Sequence, residues 1–242
     1  MAERGRPRGF DLDDALDAAI DVFWRQGYEG TTLDDLTRSM GINRPSLYAA
    51  FGNKEQTFKL AVGRYARVDM AYVDEALDQP TARTVAEHYL QSNVLAITDP
   101  AKPPGCLSIQ GGLAGATTDQ RVVDFLASSR AAGEARFAGR FARAIDEGDL
   151  GRDEDPVDLA KYLNTVSSGL AVQAAGEHPE SPCCAWLNGH FARFPPELVR
   201  PMPLSVSGCS APASRSAARM SLRWRFRPQR RVRALAPSVT LW

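Results

Sequence analysis

Two features of the sequence point to an all-α protein. Apolar residues recur at intervals of three and four along most of the first 175 positions, the period of an amphipathic helix. Within that pattern, residues 31–54 (TTLDDLTRSMGINRPSLYAAFGNK) hold two short helical segments separated by a glycine, followed by an asparagine that opens a third. Two helices joined by so short a turn form a helix-turn-helix. At 242 residues the chain is long enough to bury a real core, in one domain or two.

The elements follow in order. Leu12, Leu16, Ala19, Ile20 and Phe23 share one face of a first helix that should end by Gly27. The next helix starts at Thr32, whose hydroxyl can cap free backbone N–H groups, with Asp34 and Asp35 in the first turn opposing the helix dipole. Leu33, Leu36 and Met40 lie on its apolar face. Gly41 marks the reversal, where a positive φ is cheap only without a Cβ, and Ile42 can plug the two-helix core. Asn43 caps the following helix, and Pro45 falls in its first turn, where a missing N–H breaks no hydrogen bond. Leu47 and Phe51 face inward, leaving Arg44, Ser46, Tyr48 and Ala49 to point elsewhere. An exposed helix start with Arg, Ser and Tyr suits a DNA major groove: Arg forks onto guanine, Ser donates or accepts, and Tyr reaches a phosphate.

The stretch from about Phe10 to Val68 resembles the DNA-binding domain of TetR-type transcriptional regulators. The resemblance rests on a preceding helix, the helix-turn-helix with its SLYAAF core, and NKEQTFKLAV opening a fourth helix. It implies phosphate contacts for Thr32 and Tyr48, base-edge contacts for Arg44, Pro45 and Ser46, and a backbone contact for Lys54. Thr37 stands where the family usually has alanine at the helix crossing, a slight enlargement that tightens the packing.

Beyond the head, a long fourth helix should run from Asn53 or Lys54 toward Leu77, with Phe58, Val62 and Tyr65 on one side. Pro80 and Thr81 open a fifth helix through Leu90, Val94 and Ile97, which TDPAKPPG terminates. The segment GCLSIQGGLAGATTD is small and glycine-rich. Asp119 to Glu147 carries a stripe of Val123, Leu126, Phe137, Phe141 and Ile145, and a last helix spans about Asp155 to Ala175. The resemblance implies that these helices enclose an apolar pocket for a small-molecule inducer. Tyr65, Tyr72, Leu90, Val94, Cys106, Leu107, Phe125 and Phe137 are candidate lining residues, although aromatic stripes at this spacing mostly fill cores. It also implies a homodimer, for which Leu163, Val166 and Leu170 offer an apolar strip. The division expected is a helix-turn-helix domain over 1–52, a helical ligand-binding and dimerisation domain over 53–176, and a tail over 177–242.

The tail changes character. It holds ten Arg, no Lys and three acids, with nine of the sixteen prolines, and it lacks a sustained helical period. The family usually has there a final helix that pairs with the preceding one to build a four-helix dimer interface. A basic extension, a disordered arm and a reading-frame change in a GC-rich gene each match this composition. Truncation after Glu177 should therefore spare both helicity and self-association.

Formal charge is zero, which for a DNA binder is unusual, but Arg4, Arg6, Arg8, Arg44 and Lys54 cluster near the proposed DNA face while most head acids lie on the first helix. No run of eighteen apolar residues exists and MAERGRPRGF lacks an apolar signal core, so a cytoplasmic protein with no membrane partner is expected. No cofactor is expected. Cys183, Cys184 and His190 lack zinc-knuckle spacing, and GGLAGAT lacks the Lys-Ser/Thr of a phosphate loop. Cys106, after PPG at a helix start, is a candidate electrophile or oxidant sensor, because a helix N-terminus favours thiolate. Two other functions compete: an enzyme with Cys106 as nucleophile and His88 as base, and an interaction module without specific DNA binding. The function expected is a ligand-responsive repressor acting as a dimer on a palindromic double-stranded DNA operator.

Overall fold

The computed structural model describes residues 9–113 and 119–176. Among these, all regular structure is helical: α1 Leu12–Gly30, α2 Leu33–Met40, α3 Arg44–Phe51, α4 Lys54–Val68, α5 Tyr72–Leu77, α6 Ala82–Ile97, α7 Leu107–Leu113, α8 Gln120–Asp146 and α9 Pro156–Ala175. The whole tail, Arg4, Arg6 and Arg8, and the Cys183, Cys184 and His190 group lie outside the described residues.

Side-chain caps set most helix starts. Asp11 accepts from the N–H groups of Asp13 and Asp14, Thr81 from Thr84, Asp119 from Arg121, and Asp155 from Val157 and Asp158. Each cap meets backbone donors that would otherwise have no intrahelical partner. Two boundaries differ from expectation. In α1 the helical geometry breaks at Gly27 (φ 69°), but one further turn carries it to Gly30. The helix expected to reach Leu77 stops at Val68, and α5 starts afresh at Tyr72. The N–H groups of Asp69 and Met70 both turn back to the Tyr65 carbonyl, and the reoriented chain buries Val73 and Ala76 in the cluster that holds α6.

The core has two parts. One joins α1–α4 to α7 and to parts of α8 and α9 through Phe23, Leu36, Leu47, Phe58, Leu107 and Leu126. The other lies among α5, α6, α8 and α9, around Val85, Tyr89, Phe137 and Leu163. Phe23 and Phe58 meet edge to face with ring centroids 5.0 Å apart, tying α1 to α4. Arg64 on α4 reinforces that contact with ion pairs to Asp13 (3.0 Å) and Asp17 (2.6 Å) on α1. No described helix is long and apolar enough to cross a membrane.

Candidate DNA interface and adjoining cavity

The helix-turn-helix is assembled from local signals that agree. Thr32 Oγ1 accepts from Asp35 N–H (3.1 Å) and donates to Asp35 Oδ2 (2.6 Å), while the Thr32 N–H also donates to that carboxylate, a reciprocal cap. These bonds hold the Asp35 carboxyl below its ordinary value. Gly41 sits at φ 65° in the turn, and the Ile42 N–H reaches the Thr37 carbonyl. Asn43 Oδ1 accepts from Ser46 N–H at 2.9 Å, with Pro45 in the first turn of α3. Leu36, Met40, Leu47 and Phe51 are buried, which turns the opposite side of α3 outward.

Arg44, Pro45 and Tyr48 are exposed on that outward side, and Ser46 is half-buried at the cap. Arg44 does not project freely: its Nε (3.2 Å) and a terminal nitrogen (2.8 Å) both donate to Asp34 Oδ1, across the turn on α2. Sequence assigned Asp34 only to the helix dipole, since nothing local announces a contact ten residues away. Thr32 is exposed, but its hydroxyl proton is already given to Asp35. Lys54 lies partly buried over the Tyr28 ring, 4.4 Å from its centroid. Burial lowers the Lys54 pKa, against the opposing pull of Glu29 and Asp119. Tyr28 donates to Asp119 Oδ2 at 3.3 Å, and burial first, then the Asp119 charge, pushes its phenol up to about 12.

Next to the head lies a cavity of about 720 Å³ walled by α4–α9 and the residues just before α7. Of the eight candidate lining residues, Cys106, Phe125 and Phe137 line it; Tyr65, Tyr72, Leu90, Val94 and Leu107 do not. Tyr65 packs edge-on against Trp24 and donates to Cys106 Sγ at 3.4 Å. Tyr72 stacks on Tyr89, and Leu90, Val94 and Leu107 are buried core residues. Helical period marks a buried face but not which part of that face abuts empty space. The polar lining that sequence missed includes Tyr89, Asn93, Asn164 and Ser167. Polar residues in mid-helix, on a face otherwise apolar, were the available signal.

Cys106 is 6% exposed, and the helix it precedes has only seven residues. Its hydrogen-bond partner is Tyr65, whose phenol is raised well above the ordinary value mainly by burial. His88, the base in the enzyme alternative, neither bonds to Cys106 nor lines the cavity. Among the described residues no cluster of three His, Cys, Asp or Glu side chains is placed to hold a metal.

The dimer strip needs correction at Leu163. This residue is 3% exposed and packed within the chain's own second core cluster, while Val166 and Leu170 are half-buried against the same cluster. Leu163 falls on the face of α9 that packs with Tyr89 of α6 and Phe137 of α8 in that cluster. The apolar residues that α9 does present are Val157, Tyr162 and Val172.

Residues 15–60, from α1 to the middle of α4, match the family model of bacterial regulatory proteins of the tetR family. The repressor ComR of Escherichia coli K12 is 30% identical over 199 residues, 81% of this chain and 94% of ComR. The uncharacterised regulator YezE of Bacillus subtilis 168 is 35% identical over 162 residues, 66% of this chain and 84% of YezE. A solved structure of the TetR-family regulator CifR, a cysteine-substituted form complexed with a 26-bp operator, is 39% identical, with a TM-score of 0.69 over 78% of this chain and all of CifR. An exposed recognition helix on a three-helix head defines a DNA-binding transcriptional regulator. The chain belongs to the TetR family of helix-turn-helix transcriptional repressors.

Proposed function

We propose that the protein is a ligand-responsive, sequence-specific repressor that acts as a homodimer on a palindromic operator, and that it works in the cytoplasm, where that DNA lies. In this proposal residues 1–52 form the DNA-binding head, 53–176 bind ligand and dimerise, and 177–242 are an appended basic segment. The observation that carries it is the exposed start of α3, held by the Asn43 cap with Arg44, Pro45 and Tyr48 facing out and Ser46 half-buried beside them. A helix so presented enters the major groove with its first turn on base edges. Arg44 and Ser46 would read bases, with Pro45 packed against them, while Thr32, Tyr48 and Lys54 would meet the phosphate backbone. Two heads on a two-fold axis would occupy successive major grooves about 34–36 Å apart, which requires an operator with matching half-sites.

The cavity supports an inducer site. Its wall includes Cys106, Ser108 and Ile109, at or just before the start of α7, and α7 presses Gly111 against Phe58 of α4 so closely that a Cβ there would lie 3.0 Å from the ring. A molecule that displaces α7 would be felt on α4, the helix whose start carries Lys54. Induction requires that the molecule bind the DNA-incompetent arrangement more tightly; equal affinity for both arrangements would shift nothing. Selection of bound sequences from random DNA by the full chain, with sedimentation of the complex, tests the proposal. The expected outcome is a short palindrome bound by two chains; enrichment of no motif would refute it.

A further inference from the structure

Three helices meet at Tyr28, in the last turn of α1. Its hydroxyl donates to Asp119, the residue that caps the start of α8, and its ring carries the ammonium of Lys54, the first residue of α4, 4.4 Å from the centroid. Arg121 clasps Asp119 through two nitrogens, at 3.1 and 3.0 Å, and its third reaches Glu55, beside Lys54, at 3.0 Å. The Asp119 and Glu55 side chains are only 20% and 12% exposed, so these pairs are better sheltered from water than an ordinary surface pair. Glu55 in turn holds Lys59 at 2.8 Å, and Lys59 lies over the ring of Phe125 on α8; Lys59 and Phe125 both line the cavity. The start of α8 is thus bonded to the end of α1 and to the start of α4.

Resting on the proposal that Lys54 meets a DNA phosphate, we infer that Asp119 of α8 restrains that contact: it anchors Tyr28 and draws the Lys54 ammonium onto the ring, so that the lysine leaves an intramolecular site before it neutralises a phosphate. The sign follows from what holds the ammonium. A lysine over a phenol ring is attracted by the negative face of the ring, and more strongly where water is partly excluded. Glu29 and Asp119 pull on the same ammonium. A phosphate has to compete with all three. The bonds from Arg121 hold the Asp119 carboxyl below its ordinary range, so its negative charge stands at neutral pH. Were the ring instead holding Lys54 ready for a phosphate, loosening it would weaken DNA binding, the opposite outcome. The restraint comes from α8, which also supplies Phe125, Ser129 and Arg130 to the cavity wall, so one helix touches both the cavity and the DNA contact.

Salt titration of the full chain on a random-sequence duplex of about 30 bp tests this, because a phosphate contact carries no base information. Asp119→Asn suits the test, since asparagine caps a helix as well as aspartate does and α8 keeps its start. At about 0.1 M salt it should bind roughly threefold or more tighter than the parent, with the slope of log affinity against log salt steeper by about 0.9 for each head engaged. Tyr28→Phe, which cuts the bond to α8 without changing any charge, should move both quantities in the same direction. In a Lys54→Gln background Asp119→Asn should lose most of its effect. A gain of the same size in that background belongs to the lost charge or to Arg121 and overturns the inference, as does an Asp119→Asn affinity equal to or below the parent's. Circular dichroism checks each fold, and Tyr28→Phe with and without Lys54→Gln decides the matter if Asp119→Asn does not fold. A parent whose binding is flat with salt removes the phosphate reading itself and this restraint with it.

Discussion

Arg44 and Asp34 act as one surface unit, and that shapes what each substitution should do. The pair is exposed on both sides, so it adds little to stability, but it fixes the direction of a guanidinium that has several rotamers to lose on binding. Arg44→Ala should cost about 1–3 kcal/mol of discrimination at one base pair, as removal of a bidentate base contact does. Tyr48→Phe should weaken all sequences alike, because a phosphate contact carries no base information. Asp34→Ala should do something different: it removes a carboxylate close to DNA and frees Arg44, so affinity for random DNA should rise while the gap between cognate and random DNA narrows. Sequence selection and competition binding with these three variants measure both quantities, and an unchanged base preference in Arg44→Ala would sink the assignment. The outward positions of α3 were legible because caps and the turn are local. Asp34 was not, since its role appears only when α2 and α3 are crossed.

At the level of elements, the turn and the α1–α4 brace make separate predictions. Gly41 sits at φ 65°, where a Cβ crowds the backbone, so Gly41→Ala should destabilise the fold by about 1–2 kcal/mol, and Gly41→Asn by less. Urea unfolding at constant slope measures this. The brace is electrostatic: hydrogen bonding to Arg64 holds the Asp17 carboxyl below its ordinary value of 3.8. A depressed carboxylate contributes stability that is present above its unfolded pKa and is lost as pH falls through the lower folded one. Asp17→Asn should therefore be less stable than the parent at pH 7, with the difference in Tm shrinking below pH 4; a gap constant with pH would assign Asp17 no such role. Helix starts at Thr32, Asn43, Thr81 and Asp155 were readable because a side chain and the backbone it caps are neighbours in sequence. The break between α4 and α5 was not, because no Gly or Pro marks Val68 to Ala71 and the burial of Val73 and Ala76 against α6 decides it. The cavity was legible only in part, at Cys106, Phe125 and Phe137, because a void is defined by how helices pack and not by the period of any one of them.

For the whole molecule, self-association and charge are linked through the two-headed complex proposed above. Leu163 is needed inside its own chain, so Leu163→Asp should unfold the body, whereas Val172→Asp, about half exposed on α9, should leave the fold intact and weaken only the dimer. Because each head alone has few base contacts, loss of the dimer should lower operator affinity steeply while leaving circular dichroism unchanged. The chain is formally neutral, yet Arg25 of α1 and Arg64 of α4 neutralise acids of α1. What DNA meets is the local surface within about 10 Å, roughly a Debye length at 0.1 M salt. Phosphate contacts there displace condensed counterions, so log affinity should fall linearly with log salt, with a slope of about −0.9 for each phosphate neutralised. Titrating the operator complex with Val172→Asp alongside the parent separates the two effects: the variant should show about half the parent's slope, as one head engages instead of two. A parent slope near zero would mean that the head does not dock on phosphates at all, and equal slopes would mean that α9 does not pair the heads.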